Sequence, residues 1–190
     1  MNTLISLQRA LFGPLERADW LLSTLARFLF AAILLMYFWV SGLTKLGDGL
    51  FGFLNPSLGA YAQIWPRAME AAGYDVTQMS GFQTLVVLAG TWAEFILPVL
   101  VVIGFLTRFA ALGMIVFVIV QSVTDLIGHN KLSDPIVFGA WFDKAPDGII
   151  MDQRMLWIFL LLVLVLKGAG PLSLDRLIMN RARDAQEEYS

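Results

Sequence analysis

A chain of 190 residues that is 58% hydrophobic and only 15% charged, with a mean hydropathy of +0.72, lies outside the soluble range. Soluble chains carry about a quarter charged residues and less than half apolar. The net charge of −2 points to neither nucleic acid nor another polyanion. The absence of cysteine excludes disulfides, thiolate metal sites, CxxC redox chemistry and a cysteine nucleophile, so any electron transfer needs a diffusible carrier such as a quinone, or another subunit.

Residues 1–20 place Leu4, Leu7, Leu11 and Leu15 at helical spacing among Gln8, Arg9, Glu16 and Arg17, with Gly13-Pro14 interrupting. This pattern predicts an amphipathic segment on the membrane surface. The first span is expected over about 20–43. No small-x-small cleavage site follows its aromatic-rich run, so it reads as a span and not a signal peptide. Arg27 and Lys45 are 18 residues apart, which is five helical turns and about 27 Å, close to the thickness of a bilayer's hydrocarbon. One cation near each interface is the simple reading, with Lys45 snorkelling outward and the deeper Arg27 free to meet a buried partner.

Residues 47–81 form a long loop punctuated by glycine and proline. Within it Tyr61, Trp65 and Met69 sit on short helical pieces suited to the interface. The second span, about 82–106, carries Glu94 near its middle. Gln83, Val87, Gly90, Thr91, Glu94 and Pro98 follow one another in steps of three and four, a small and polar stripe of the kind that packs against other helices. An ionised carboxylate costs several kcal/mol in hydrocarbon, so Glu94 needs a partner or a purpose.

Thr107 and Arg108 alone separate this span from the third, about 109–127, which makes the two antiparallel neighbours. On the third, Ser122, Asp125 and His129 share a face, with Gln121 beside them. A second long loop, 128–151, carries Phe138, Trp141 and Phe142. The fourth span, about 150–168, starts with Asp152 and Arg154 at the interface. GAGPLSLD (168–175) ends it, and a polar tail (179–190) follows.

These four spans put both termini on the same side as Arg108. Eight cations (Arg9, Arg17, Arg27, Arg108, Lys167, Arg176, Arg181 and Arg183) fall there, against five (Lys45, Arg67, Lys131, Lys144 and Arg154) on the other side. This imbalance predicts cytoplasmic termini and two outward-facing loops. The predicted fold is all-α: an antiparallel bundle of four transmembrane helices spanning 21–178, with two longer extracytoplasmic loops carrying short helices.

Four pieces then resemble the DoxX family of small bacterial and archaeal membrane proteins. They are the Arg27 span ending SGLTKL, the stretch AEFILPVLVVIGFLTRFAAL, the acidic start of the fourth span at Asp152, and GAGPLSLD. The resemblance covers about 25–178. It implies a four-helix fold in the inner membrane of a prokaryote and kinship with the DoxD subunit of thiosulfate:quinone oxidoreductase. It also implies membrane-associated redox complexes as partners and quinone as the possible cofactor.

Two constellations carry whatever chemistry there is. Glu94 and Arg27 form the first, separated by about 8 Å of helix rise, either as a buried tie that fixes helix register or as a protonatable carboxylate beside a quinone. The second is the outward mouth: Lys45, Asp48, Asp125, His129, Asp152 and Arg154, with Trp39, Trp92 and Trp157 as lining candidates. His129 is the sole histidine, and an ordinary imidazole titrates near neutral pH. One histidine with two carboxylates is a poor metal pattern, and no metal is expected. No phosphate loop, HExxH or G-x-S-x-G motif is present. The leading expectation is a membrane subunit of a quinone-linked redox system; a non-catalytic scaffold and an oligomeric small-molecule transporter are the alternatives.

Overall fold

The computed structural model describes residues 2–16 and 18–188. Arg17 and the end of the expected tail, Tyr189 and Ser190, lie outside them. The described residues are 76% helical, and among them a single bridge, Leu46 to Pro56, is the only extended pairing.

Among the described residues four helices are long and apolar enough to cross a bilayer: Asp19–Lys45, Gly81–Ile103, Thr107–Gly128 and Ile149–Lys167. They are the expected spans with ends shifted by up to three residues. The shortest has 19 residues, about 28 Å of rise, enough for the hydrocarbon layer. Each span packs on its chain neighbour, and the fourth closes back on the first. The first helix crosses the bundle as it climbs. Its lower half, Asp19–Phe30, lies on the fourth span, and its upper half, Met36–Lys45, lies on the second.

The crossing is built around a π-helical turn at Ala31–Leu35. The buried residues of this helix are Ser23, Ala26, Phe30, Leu34, Phe38, Gly42 and Lys45. Steps of four overshoot the 3.6-residue repeat, and the wider π turn absorbs the drift. Phe30, Leu34 and Phe38 meet Val101, Met114, Val118, Leu161 and Leu164 in the core. A smaller core of Ala60, Tyr61, Met69 and Val87 seats the loop helices Leu58–Ile64 and Pro66–Ala71 on the second span.

The end that carries the short turn is tied by backbone capping. Gly104 adopts φ 70° and closes the second span, with the Phe105 N–H donating to the Leu100 carbonyl at 3.0 Å. A Cβ at Gly104 would lie 2.6 Å from Ser173 Cβ and 2.9 Å from Arg27 Cζ, so this position requires glycine both for its φ and for close approach. Asp175, from the expected GAGPLSLD motif, then caps the third span from a distance. It accepts from Leu106 N–H at 2.7 Å, Thr107 N–H at 3.0 Å and the Thr107 hydroxyl at 2.8 Å. The polar stretch expected as a tail is helical through its described part, in Leu174–Glu188.

Candidate functional site

Glu94 is 2% exposed, and its partner is not Arg27 but Lys45, itself 4% exposed. Lys45 Nζ lies 3.0 Å from Oε1 and 2.9 Å from Oε2 of the carboxylate. The Ser41 hydroxyl donates to Oε1 at 2.9 Å, and Lys45 donates to Ser41 Oγ at 2.8 Å. The three side chains form a closed triangle of charge-assisted hydrogen bonds. Every donor Lys45 has is turned inward, so the expectation that it snorkels to the interface is corrected.

The cause is the π turn. In an unbroken α-helix Lys45 would share a face with Arg27, 18 residues earlier. The extra residue absorbed at Ala31–Leu35 puts Lys45 in line with buried Ala26 and Phe30 instead. Lys45 then points into the bundle, and its side chain leans back one turn past Ser41 toward Glu94, as helical side chains do.

Arg27 is used elsewhere. Its Nε donates to the Val101 carbonyl at 3.1 Å and its Nη1 to that of Ala169 at 3.0 Å, with further bonds to Leu172 and Val102. It caps the last carbonyls of the second span and ties them to the turn after the fourth, where a cation also complements the helix dipole. Val101 lies seven residues beyond Glu94 on the same helix, about 10 Å along its axis, so the expected Arg27–Glu94 pair does not form.

A cleft of about 360 Å³ opens beside the triangle, between the second and third spans. Ala89, Gly90 and Ala93 on one wall and Gly113 on the other make the space, because none extends beyond a methyl group. Val116 and Val120 lie on its rim and are 54% and 56% exposed on the lipid-facing surface. Lys45 and Glu94 line its inner end, and Gln63, Gln121 and Asp125 line its path toward the long loops. Gln121 donates to the Tyr37 hydroxyl at 3.0 Å; its Oε1 is buried and has no partner among the described residues. Gln121, Gln63 and Ser41 were not predicted as site residues. Ser41 was findable, since it stands one turn before Lys45.

The expected outer mouth is only partly assembled. Asp125 and Arg154 form an ion pair at 2.7 Å, and Arg154, 4% exposed, also donates to Ser122 Oγ at 3.1 Å. This pair joins two further π turns, Thr124–Gly128 and Ile149–Arg154. The first of these breaks the face that Asp125 and His129 were expected to share. His129 turns out to the loop and its Nε2 meets the Gln63 carbonyl at 2.9 Å. Asp152 accepts from the Gly148 N–H at 2.8 Å. Neither residue lines the cleft, and Asp48 does not either. Trp92 lies outside it as well, 38% exposed, with its indole N–H on the Phe53 carbonyl at 3.2 Å. Trp39 packs on Phe95, and Trp157 on Tyr37 and Phe38. Among the described residues no group of three histidine, aspartate or glutamate side chains is placed to hold a metal ion.

The family model described as DoxX matches residues 23–124, more than half of the 190-residue chain. The chain belongs to the DoxX family. No curated protein matches it, and no solved structure does. The DoxX match takes in Ser41, Lys45, Glu94 and Gln121, and so the triangle and most of the cleft. It stops one residue before Asp125 and does not reach GAGPLSLD.

Proposed function

We propose that this DoxX protein is the membrane subunit of a quinone-linked redox system, with the quinone head group seated in the cleft between the second and third spans. The observation that carries the reading is the Lys45–Glu94–Ser41 triangle at the inner end of an apolar cleft whose rim faces lipid. A lipid-soluble ligand can enter such a cleft sideways, without crossing water. The residues fit the quinone/quinol couple on two counts: small apolar walls admit a flat ring, and Gln121 Oε1 is a buried acceptor that the hydroxyl of the reduced form, the quinol, would satisfy.

A bound quinone supplies the electron and proton couple. The protein's part is to hold charge and move a proton. Lys45 donates to both Glu94 oxygens, so the pair is neutral as a whole and tolerable at this depth. A proton taken up by Glu94 leaves the Lys45 cation without its counter-charge, facing the cleft, where it favours an oxygen acceptor on the ligand. Gln63, Gln121 and Asp125 give that proton a polar path toward the loop end. In this reading Arg27 is a positioning residue that holds the far end of the second span. Asp125 and Arg154 close the mouth, and His129, Asp152 and Trp92 serve the loops.

The protein sits in the cytoplasmic membrane of a prokaryote, with both termini and the cation-rich turn end on the cytoplasmic side. Leu4, Leu7, Leu11 and Leu15, all more than half exposed on the helix Asn2–Glu16, rest on that surface. A soluble or membrane redox partner delivers the electrons. The test is to purify the protein from its own membrane, extract it for quinone, and assay quinone reduction by the host system with Glu94→Gln alongside. Co-purified quinone and a fall of about a hundredfold in the variant, the scale of a lost general base, are expected. No quinone, together with unchanged turnover in Glu94→Gln, would sink the proposal.

A further inference from the structure

At the turn end a recess of about 660 Å³ opens between the start of the third span, the end of the fourth and the helix Leu174–Glu188. Arg108, Lys167 and Arg176 line it, against one carboxylate, Asp175. That carboxylate is already committed, holding the backbone N–H groups of Leu106 and Thr107 and the Thr107 hydroxyl. Lys167 pairs with Asp19 at 2.9 Å across an exposed surface, where an ion pair holds weakly. Among the described residues neither Arg108 nor Arg176 has an ion-pair partner. Gly168, at φ 80°, lies beside the Arg108 guanidinium, whose Nε would be in ordinary contact, 3.5 Å, with a Cβ there.

The rest of the recess wall is apolar and uncovered. Trp20 is 54% exposed, Phe109 75%, Ile178 48% and Met179 55%. Arg108 and Lys167 stand at the ends of membrane-crossing helices, so the recess lies where hydrocarbon gives way to water. Uncommitted guanidinium groups there suit a phosphate, which arginine grips with paired N–H donors. A free phosphate would gain nothing from the apolar wall. A phospholipid would, because its chains run down from the phosphate along that wall, and a tryptophan at this depth is well placed.

We propose that this recess holds the headgroup of an anionic phospholipid, with its phosphate between Arg108 and Arg176 and its acyl chains against Phe109 and Met179. The site is separate from the cleft at Glu94 and stands or falls independently of the redox reading. The test uses the full-length protein in nanodiscs of equal phosphatidylglycerol and phosphatidylcholine with identical chains, re-extracted in mild detergent, with retained lipid counted by native mass spectrometry. Phosphatidylglycerol is expected to be retained preferentially. Its retention falls roughly fivefold for each cation removed in Arg108→Gln and Arg176→Gln and is unchanged in Lys131→Gln at the opposite end. Millimolar inorganic phosphate leaves it in place. Equal retention of the two lipids overturns the proposal, as does an equal loss in Lys131→Gln. Displacement by inorganic phosphate assigns the recess to a free anion and overturns the lipid. If the arginine variants do not fold, the wild-type lipid competition decides alone.

Discussion

Glu94 shows how far single residues can be read before a structure is seen. That a carboxylate in the middle of a span must be paired follows from the cost of charge in hydrocarbon, and the stripe of small and polar residues around it placed it inside the bundle. The identity of its partner was not legible. It depends on a one-residue register shift at Ala31–Leu35, and the apolar run AAILL carries no mark of that shift. The pair also has an energetic signature. Removing one member of a buried pair strands the other, so Lys45→Met or Glu94→Leu alone loses about 3–5 kcal/mol, whereas the two together recover most of that loss. Unfolding of all three variants in detergent checks this, and a double variant as unstable as the singles contradicts it.

At the scale of elements, the spans were readable because hydrocarbon thickness sets their length, and the start of the loop after Lys45 was marked by glycines. The turn between the second and third spans lies three residues earlier than expected. Gly104, not Thr107, ends the helix, because its left-handed φ satisfies the last carbonyls. GAGPLSLD was visible as a breaker, but its task was not. Asp175 reaches back 68 residues to cap Thr107, a contact that no local pattern encodes. Capping side chains are worth about 1 kcal/mol. Asp175→Ala is therefore expected to destabilise the protein by about that much, or up to about 2 kcal/mol because three bonds are lost at once. Asp175→Asn keeps one acceptor and gives an intermediate loss. Thermal unfolding in micelles measures both; an Asp175→Ala protein as stable as the parent contradicts the remote cap. The π turn at Thr124–Gly128 explains the other element-scale miss, since it separates Asp125 from His129, which a regular helix would have kept on one face.

As a whole, the molecule is a ring of four helices fastened differently at its two ends. The turn end is closed by caps, Arg27 on carbonyls and Asp175 on amides, and needs no buried ion pair. The loop end is held by two ion pairs, Lys45–Glu94 and Asp125–Arg154, on either side of a cleft made by missing side-chain volume. The number and order of the membrane-crossing helices were legible from hydropathy, but the cleft was not. It arises where Ala89, Gly90 and Ala93 on the second span and Gly113 on the third carry nothing beyond a methyl group, and glycine and alanine in a span read equally well as close packing. That ambiguity also gives the most direct test. Ala93→Leu fills the cleft from its wall and leaves Lys45, Ser41 and Glu94 as they are. Quinone retained by the purified wild-type protein and Ala93→Leu in matched nanodiscs is the measurement. The account predicts bound quinone in the wild type and its loss in a variant that melts at the same temperature; a wild type without quinone, or a variant with full occupancy, contradicts it.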